Sequence, residues 1–151
     1  DTATTEIYTS LFVGSVNVYK RQAGDPPIGQ VGSHLVEADD AVERAGLLGV
    51  ICRTTGLRGF CTGLGLLTAD GPGATPMVSS FEVLAQMPWN ERRVAAYLRD
   101  HDGGIVEVKT RAGAADTDAL QGRLRGIGAI PHTLFVLRLG RAMSAFITRR
   151  L

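Results

Sequence analysis

The sequence predicts an α+β (mixed α/β) fold: a β-α-β-α-β-β layered domain over residues 80–151 with helices packed on a mixed sheet, preceded by a helix and an N-terminal β-hairpin arm. Three observations carry this prediction. From residue 80 onward, stretches of two-residue alternation and stretches of helical apolar spacing take turns along the chain. Both helical stretches open on a capping residue, Asn90 or Asp116, and both are followed by glycine. The apolar run at residues 133–139 ends on Gly140-Arg141, a two-residue hairpin signal.

The elements follow in chain order. Residues 5–20, rich in Ile, Tyr, Phe and Val around Gly14-Ser15, read as two short strands of a hairpin. Residues 21–33 carry Pro26, Pro27 and glycines with little to bury, so they read as a linker with a boundary at residue 33. Asp39 precedes Val42, Ala45, Leu48 and Cys52 at helical spacing, predicting one helix over residues 40–55 that stops at Gly56. Its acidic first turn suits the helix dipole. Residues 57–78 are mostly loop, with one short strand candidate at 65–69.

A strand at 80–86 then leads to a helix over 90–101, where Asn90 caps and Trp89 packs on Val94 as a hydrophobic staple. Gly103-Gly104 ends that helix. A strand at 105–111 follows, with Val106 and Val108 on one face and Glu107, Lys109 and Arg111 on the other. Asp116 opens the second helix, which turns Ala119, Leu120 and Leu124 to one face and stops before Gly126. The run 133–139 suits a strand covered on both faces, and a type II′ turn at Gly140-Arg141 returns residues 142–149 as its hairpin partner.

A chain of 151 residues with 44% hydrophobic content holds one well-buried core. The formal net charge of +1 excludes a disordered polyelectrolyte, but the charge is unevenly placed. Residues 1–87 carry 5 basic and 9 acidic side chains; residues 88–151 carry 11 and 6, a net of +5. The C-terminal part is the basic one. No apolar run approaches the roughly 20 residues that span a bilayer, and no signal-peptide pattern opens the chain, so a cytoplasmic protein without membrane association is expected. Cys52 and Cys61 lack the spacing of a metal site and suit a reduced protein, while a pairing between them stays open. The start at Asp1 without Met suggests a processed chain or an excised fragment.

No constellation signals catalysis. Gly63-Leu64-Gly65 and Gly126-Ile127-Gly128 lack the order strand, glycine loop, helix and read as turns. His34, His101 and His132 show no ligand spacing, so no metal is expected. Glu107 and Lys109 are neighbours on one strand face, an arrangement far more common as an ion pair than as an acid and base. The arginines matter as a group. Arg92, Arg93 and Arg99 decorate the first helix of the C-terminal unit, Arg123 and Arg125 close the second, and Lys109, Arg111, Arg138 and Arg141 lie on the strands and turn. They form a phosphate-binding surface if the sheet gathers them on one side. Tyr97 is the nearest aromatic for base stacking.

From Leu35 to Leu151 these residues resemble a specific family. The stretches LVEADDAVERAGLLG (35–49), GLGLLTAD (63–70), FEVLAQMPWNERRVAAYLRDHDGGIVEVKTRAG (81–113), ALQGRLRGIG (119–128) and TLFVLRLG (133–140) follow, in order, the pattern of the THUMP-like C-terminal domain of bacterial class I S-adenosylmethionine-dependent methyltransferases. Two departures stand out: Thr110 and Ala112 replace a lysine and a glycine of the family pattern, and Asp116-Thr117-Asp118 replaces its usual turn, while Lys109 and Arg111 persist.

The resemblance implies a THUMP-like domain at residues 34–151 and a remnant of the preceding methyltransferase domain at residues 1–33. It implies a non-catalytic module that binds substrate RNA, such as tRNA or rRNA. S-adenosylmethionine is then expected in the missing N-terminal domain, the module's covalent partner. The RNA-binding candidates are Lys109, Arg111, Arg123, Arg125, Arg92, Arg93, Arg138 and Arg141, with the first four foremost. The competing expectation is a structural module that packs the methyltransferase or forms a homodimer, with the hairpin and the apolar loop around Leu64 to Leu67 buried against a partner chain.

Overall fold

The computed structural model describes residues 24–60, 64–111 and 113–151. The predicted hairpin at residues 5–20 and Cys61 lie outside them; Cys52 is a buried free thiol. The described chain runs β1 (His34–Ala38), α1 (Asp40–Arg44), α2 (Leu48–Thr55), β2 (Arg58–Gly59), β3 (Leu66–Ala69), β4 (Val78–Pro88), α3 (Glu91–Asp100), β5 (Gly103–Thr110), α4 (Thr117–Leu124), β6 (Ile130–Leu139) and β7 (Ala142–Arg150). From β4 onward this is the predicted β-α-β-α-β-β order. All seven strands form one sheet, β2-β3-β1-β4-β7-β6-β5, in which β5 and β6 pair in parallel and every other neighbour antiparallel. The fold is therefore α+β with a mixed sheet.

Local chemistry explains the helices. Asn90 Oδ1 accepts from Arg93 N at 3.1 Å and Asp116 Oδ1 from Ala119 N at 3.2 Å, so both predicted caps satisfy an otherwise orphaned donor. Val94 and Leu98 of α3 and Leu120 and Leu124 of α4 pack with Val106, Val108, Leu134, Val136, Ala145 and Ile147 on one sheet face, and Trp89 covers the margin of that cluster. Each buried Val, Leu or Ile among them contributes about 1.5–3 kcal/mol. Ala119, expected on the same face, is exposed. The turn at Gly140-Arg141 pairs Leu139 with Ala142, and Gly140 supplies the positive φ (64°) that a II′ turn requires.

Three expectations need correction, and one strand carries no sequence signal. The single helix over 40–55 is two helices, because Gly46 takes φ 69° and breaks the chain direction between α1 and α2; Asp39 still caps the first and Gly56 still ends the second. Residues 34–38 form β1, a strand inside the sheet that lacks alternation because Leu35 and Val36 are both fully buried, one on each face. The 57–78 region holds two strands, β2 and β3, not one.

Gly103-Gly104 does not end α3. Asp102 does so, with φ 54°, and the two glycines open β5. Their backbone meets that of the next turn: Gly126 N donates to Gly104 O at 2.9 Å and Gly128 N to Gly103 O at 3.1 Å. A Cβ on Gly104 would lie 2.2 Å from Gly128 O, so only glycine permits this approach.

The sheet is strongly curled. Strands β1 and β5 stand four places apart in its order, about 19 Å if the sheet were flat. Yet Lys109 Nζ on β5 reaches Glu37 Oε2 on β1 at 2.7 Å, and Arg111 binds the other oxygen of the same carboxylate. The enclosed face holds a second core of Leu35, Phe81, Phe135, Leu137 and Phe146, in which Phe81 and Phe135 meet edge-on at 5.0 Å between centroids. Lys109 also lies 5.7 Å above the Phe81 ring. The opposite face carries α3 and α4 at the β5 end and α2 at the β2 end, where Ile51, Cys52 and Leu57 pack on Val36 and Leu67. Among the described residues no helix is long and apolar enough to cross a membrane.

Candidate nucleic-acid interface

The eight predicted contacts do not gather on one face. Lys109 and Arg111 sit at the C-terminal end of β5 and converge on Glu37, which is about one-fifth exposed. Burial opposes the Glu37 charge, but the hydrogen bonds and charges of Lys109 and Arg111 outweigh it and hold the carboxyl below the ordinary carboxylate range. Glu107 adds a longer contact to Lys109 at 3.7 Å. The Glu107–Lys109 pair is thus part of an ion cluster whose cation is already committed to Glu37. These two cations tie the edge strand β5 to β1 across the curled sheet.

Arg138 and Arg141 flank the β6–β7 turn and are exposed. Lys109 pairs in register with Phe135, so this turn lies at the same end of the sheet as the Glu37 cluster. That end is about 26 Å from the start of β6, given eight residues of strand. The other end carries a different arrangement. There Arg99 from the last turn of α3, with Arg123 and Arg125 from the end of α4, surround a cleft of about 560 Å³. Its walls are Ala95, Leu98, Gly103 and Leu124, and its lip is Gly126-Ile127-Gly128.

Sequence logic places each group. Val94 and Leu98 must face the core, which turns Arg92, Arg93 and Arg99 outward on α3; Arg92 and Arg99 are two turns apart on one stripe. On α4, Leu120 and Leu124 face inward, so Arg123 and Arg125 emerge at its C-terminal end, where cations suit the helix dipole. Arg123 forks onto Glu91, with Nε–Oε1 at 2.7 Å and the second nitrogen at 3.1 Å. That hydrogen bonding, with a smaller opposing effect of desolvation, holds the Glu91 carboxyl below its ordinary value.

Arg99 and Arg125 form no ion pair in the described structure. Asp102 also lines the cleft, its Oδ2 accepting from Ala129 N at 3.3 Å. Of the foremost four candidates, the cleft joins Arg123 and Arg125 and leaves out Lys109 and Arg111. Arg99 belongs with the cleft although its helical position alone did not single it out.

The aromatic expectation changes as well. Tyr97 is half-buried on the α3 core, and His101 stacks on its ring at 3.9 Å and 13° while taking a 2.8 Å contact to Tyr97 O. One face of Tyr97 is therefore covered. His132, near the start of β6, is buried, and desolvation lowers its pKa more than the Ile130 carbonyl contact raises it. Among the described residues no group of His, Cys, Asp and Glu could hold a metal. Leu64, Leu66 and Leu67 are buried inside the domain, so they do not supply the partner-facing surface expected for a dimer.

With this geometry in view, residues 78–150 match the family described as THUMP domain-like, the stretch spanning β4 to β7 and both arginine-bearing helices. The segment is a THUMP-like domain. The chain is also 34% identical over 117 residues to an uncharacterised S-adenosylmethionine-dependent methyltransferase of Mycobacterium tuberculosis, in both strain H37Rv and strain CDC 1551 / Oshkosh, across 78% of this chain. It is thus homologous to methyltransferases of that class, of which it spans about a third (32%) of the length. A crystal structure assigned as a methyltransferase from Porphyromonas gingivalis W83 superposes with a TM-score of 0.65 at 16% identity, covering 87% of this chain and 32% of that one. The shared fold is what that likeness shows.

Proposed function

We propose that this chain is the RNA-engaging module of an S-adenosylmethionine-dependent methyltransferase and is non-catalytic by itself. The observation that carries the reading is the cleft between α3 and α4, which Arg99, Arg123 and Arg125 line together and where Arg99 and Arg125 form no ion pair among the described residues. Guanidinium groups suit phosphate oxygens geometrically and stay charged at every physiological pH. The C-terminal location of the cleft in the part of net charge +5 adds a favourable field.

The cofactor belongs, in this reading, to the portion that the relatives have beyond the matched third. The residues described here do not fit it. A class I cofactor site needs a strand, a glycine loop and then a helix. Gly126-Ile127-Gly128 instead joins a helix to a strand, and its two glycine N–H groups are already spent on Gly104 and Gly103. RNA would be held by Arg99, Arg123 and Arg125, extended along α3 by Arg92 and Arg93. Cytoplasmic location follows as part of the proposal.

A salt titration of RNA binding by this chain is the test. Three phosphate contacts on a single strand predict that log affinity falls against log salt with a slope of about −2. Salt-insensitive binding, or polyglutamate bound as tightly as RNA, would overturn the reading. Sedimentation of the same sample checks the competing homodimer, which predicts a concentration-dependent shift in mass.

A further inference from the structure

We infer that the α3–α4 cleft takes an unpaired nucleotide, its base inside and its phosphates on the arginine rim, with Ile127 as the wedge that keeps the base out of a stack. This rests on the RNA-binding reading above and names the kind of RNA it selects. Three observations converge. The interior is lined by aliphatic carbon from Ala95, Leu98 and Leu124, and its volume of about 560 Å³ is that of an ordinary small-ligand pocket. Among the described residues the only carboxylate on its wall is Asp102, which repels a phosphate from the interior; the neutral base is what remains compatible with an apolar floor.

The third observation is Ile127. Its side chain is completely exposed (109%), held between two glycines at the lip of the cleft. The loop presenting it is tied down. Gly126 and Gly128 donate to Gly104 and Gly103, Ala129 N donates to Asp102, and a Cβ on either Gly126 or Gly128 would fall 2.1 Å from a backbone carbonyl oxygen. A fixed loop that holds a bare isoleucine in water gains nothing from it internally. An apolar side chain beside arginines is the chemistry that inserts between bases and holds one apart from its neighbour. A duplex must first unpair and unstack to satisfy such a site, whereas a single strand or a loop need not.

The experiment titrates this chain, by fluorescence anisotropy, with a short labelled single-stranded RNA and with the same strand in a blunt duplex, at two salt concentrations. Wild type is expected to favour the single strand by on the order of tenfold. Ile127→Ala should bring the two affinities within about twofold by weakening single-strand binding, with duplex affinity and melting temperature unchanged, since an exposed side chain contributes little to folding. Arg125→Glu should weaken both. Equal wild-type affinity for the two forms, or a preference that survives Ile127→Ala, overturns the unpaired-base site while salt-sensitive binding leaves the module an RNA binder. Absence of salt-sensitive RNA binding overturns both.

Discussion

Two groups of cations sit at opposite ends of the same sheet and differ in what surrounds them. Lys109 and Arg111 lie about one-fifth to one-quarter exposed and share one carboxylate, Glu37, that arrives from a strand four places away in the sheet order. Arg99 and Arg125 line an open cleft and form no ion pair among the described residues. Charge and residue type are alike in the two groups. The difference teaches that what a cation can do follows from whether an internal anion already satisfies it: the first group ties the fold together, and the second is the one the proposed RNA contact draws on.

The contrast breaks most visibly at Glu37. Glu37→Ala leaves two partly buried cations facing each other, with Lys109 keeping its 3.7 Å contact to Glu107, and should cost about 2 kcal/mol of stability in urea denaturation while RNA affinity changes little. A large loss of RNA affinity with full stability would invert the assignment of the two groups.

The pH dependence sharpens the same point. The Glu37 carboxyl is held below its ordinary value near 4.5, so its contribution is complete above that pH and fades as pH falls through the lower folded value. Glu37→Gln should therefore flatten the acid limb of stability against pH, measured by chemical denaturation at stepped pH. His132, buried with a lowered pKa, acts a little higher: its stabilisation is complete above about 6.5 and declines as pH falls below it.

The cleft gives the next effect. The double variant Arg99→Glu/Arg125→Glu should lower RNA affinity by at least about tenfold and make the salt slope shallower, with stability within about 0.5 kcal/mol of wild type because both side chains are exposed and lack an internal ion pair. Unchanged affinity would remove the cleft from the proposed function.

The smallest effect belongs to Arg123, which stands between the two groups because Glu91 holds it without burying it. Glu91→Gln should free its guanidinium and raise RNA affinity by about twofold, with little change in stability because the pair is exposed. An equal fall in affinity would show that the pair positions Arg123 for its ligand.

Much of the β4–β7 unit was legible in the sequence because its signals are local. Asn90 and Asp116 cap within three residues of themselves, Val94 and Leu98 are one helical turn apart, and the β6–β7 hairpin announces itself in Gly140-Arg141. Strand β1 was not legible, since burial on both faces erases the alternation by which a strand is read. Nor was the break in residues 40–55, where Gly46 reads equally as a tolerated helix glycine until its φ is known. The candidate site was half legible. Arg123 and Arg125 stand out from their place at a helix end, whereas Arg99 and Ile127 acquire meaning only from what the fold sets beside them.

By itself, then, the sequence determined the mixed α+β class, the helix caps, the basic C-terminal part and the THUMP-like pattern, all of which rest on neighbours along the chain. Tertiary structure alone decided which cations are spoken for. Glu37 and Lys109 are separated by 72 positions, and no periodicity or spacing rule reaches that far. Only the curl of the sheet around Phe81, Phe135 and Phe146 brings the carboxylate to the lysine, because burying those rings on one face curls the sheet until β1 and β5, four places apart in its order, come within reach.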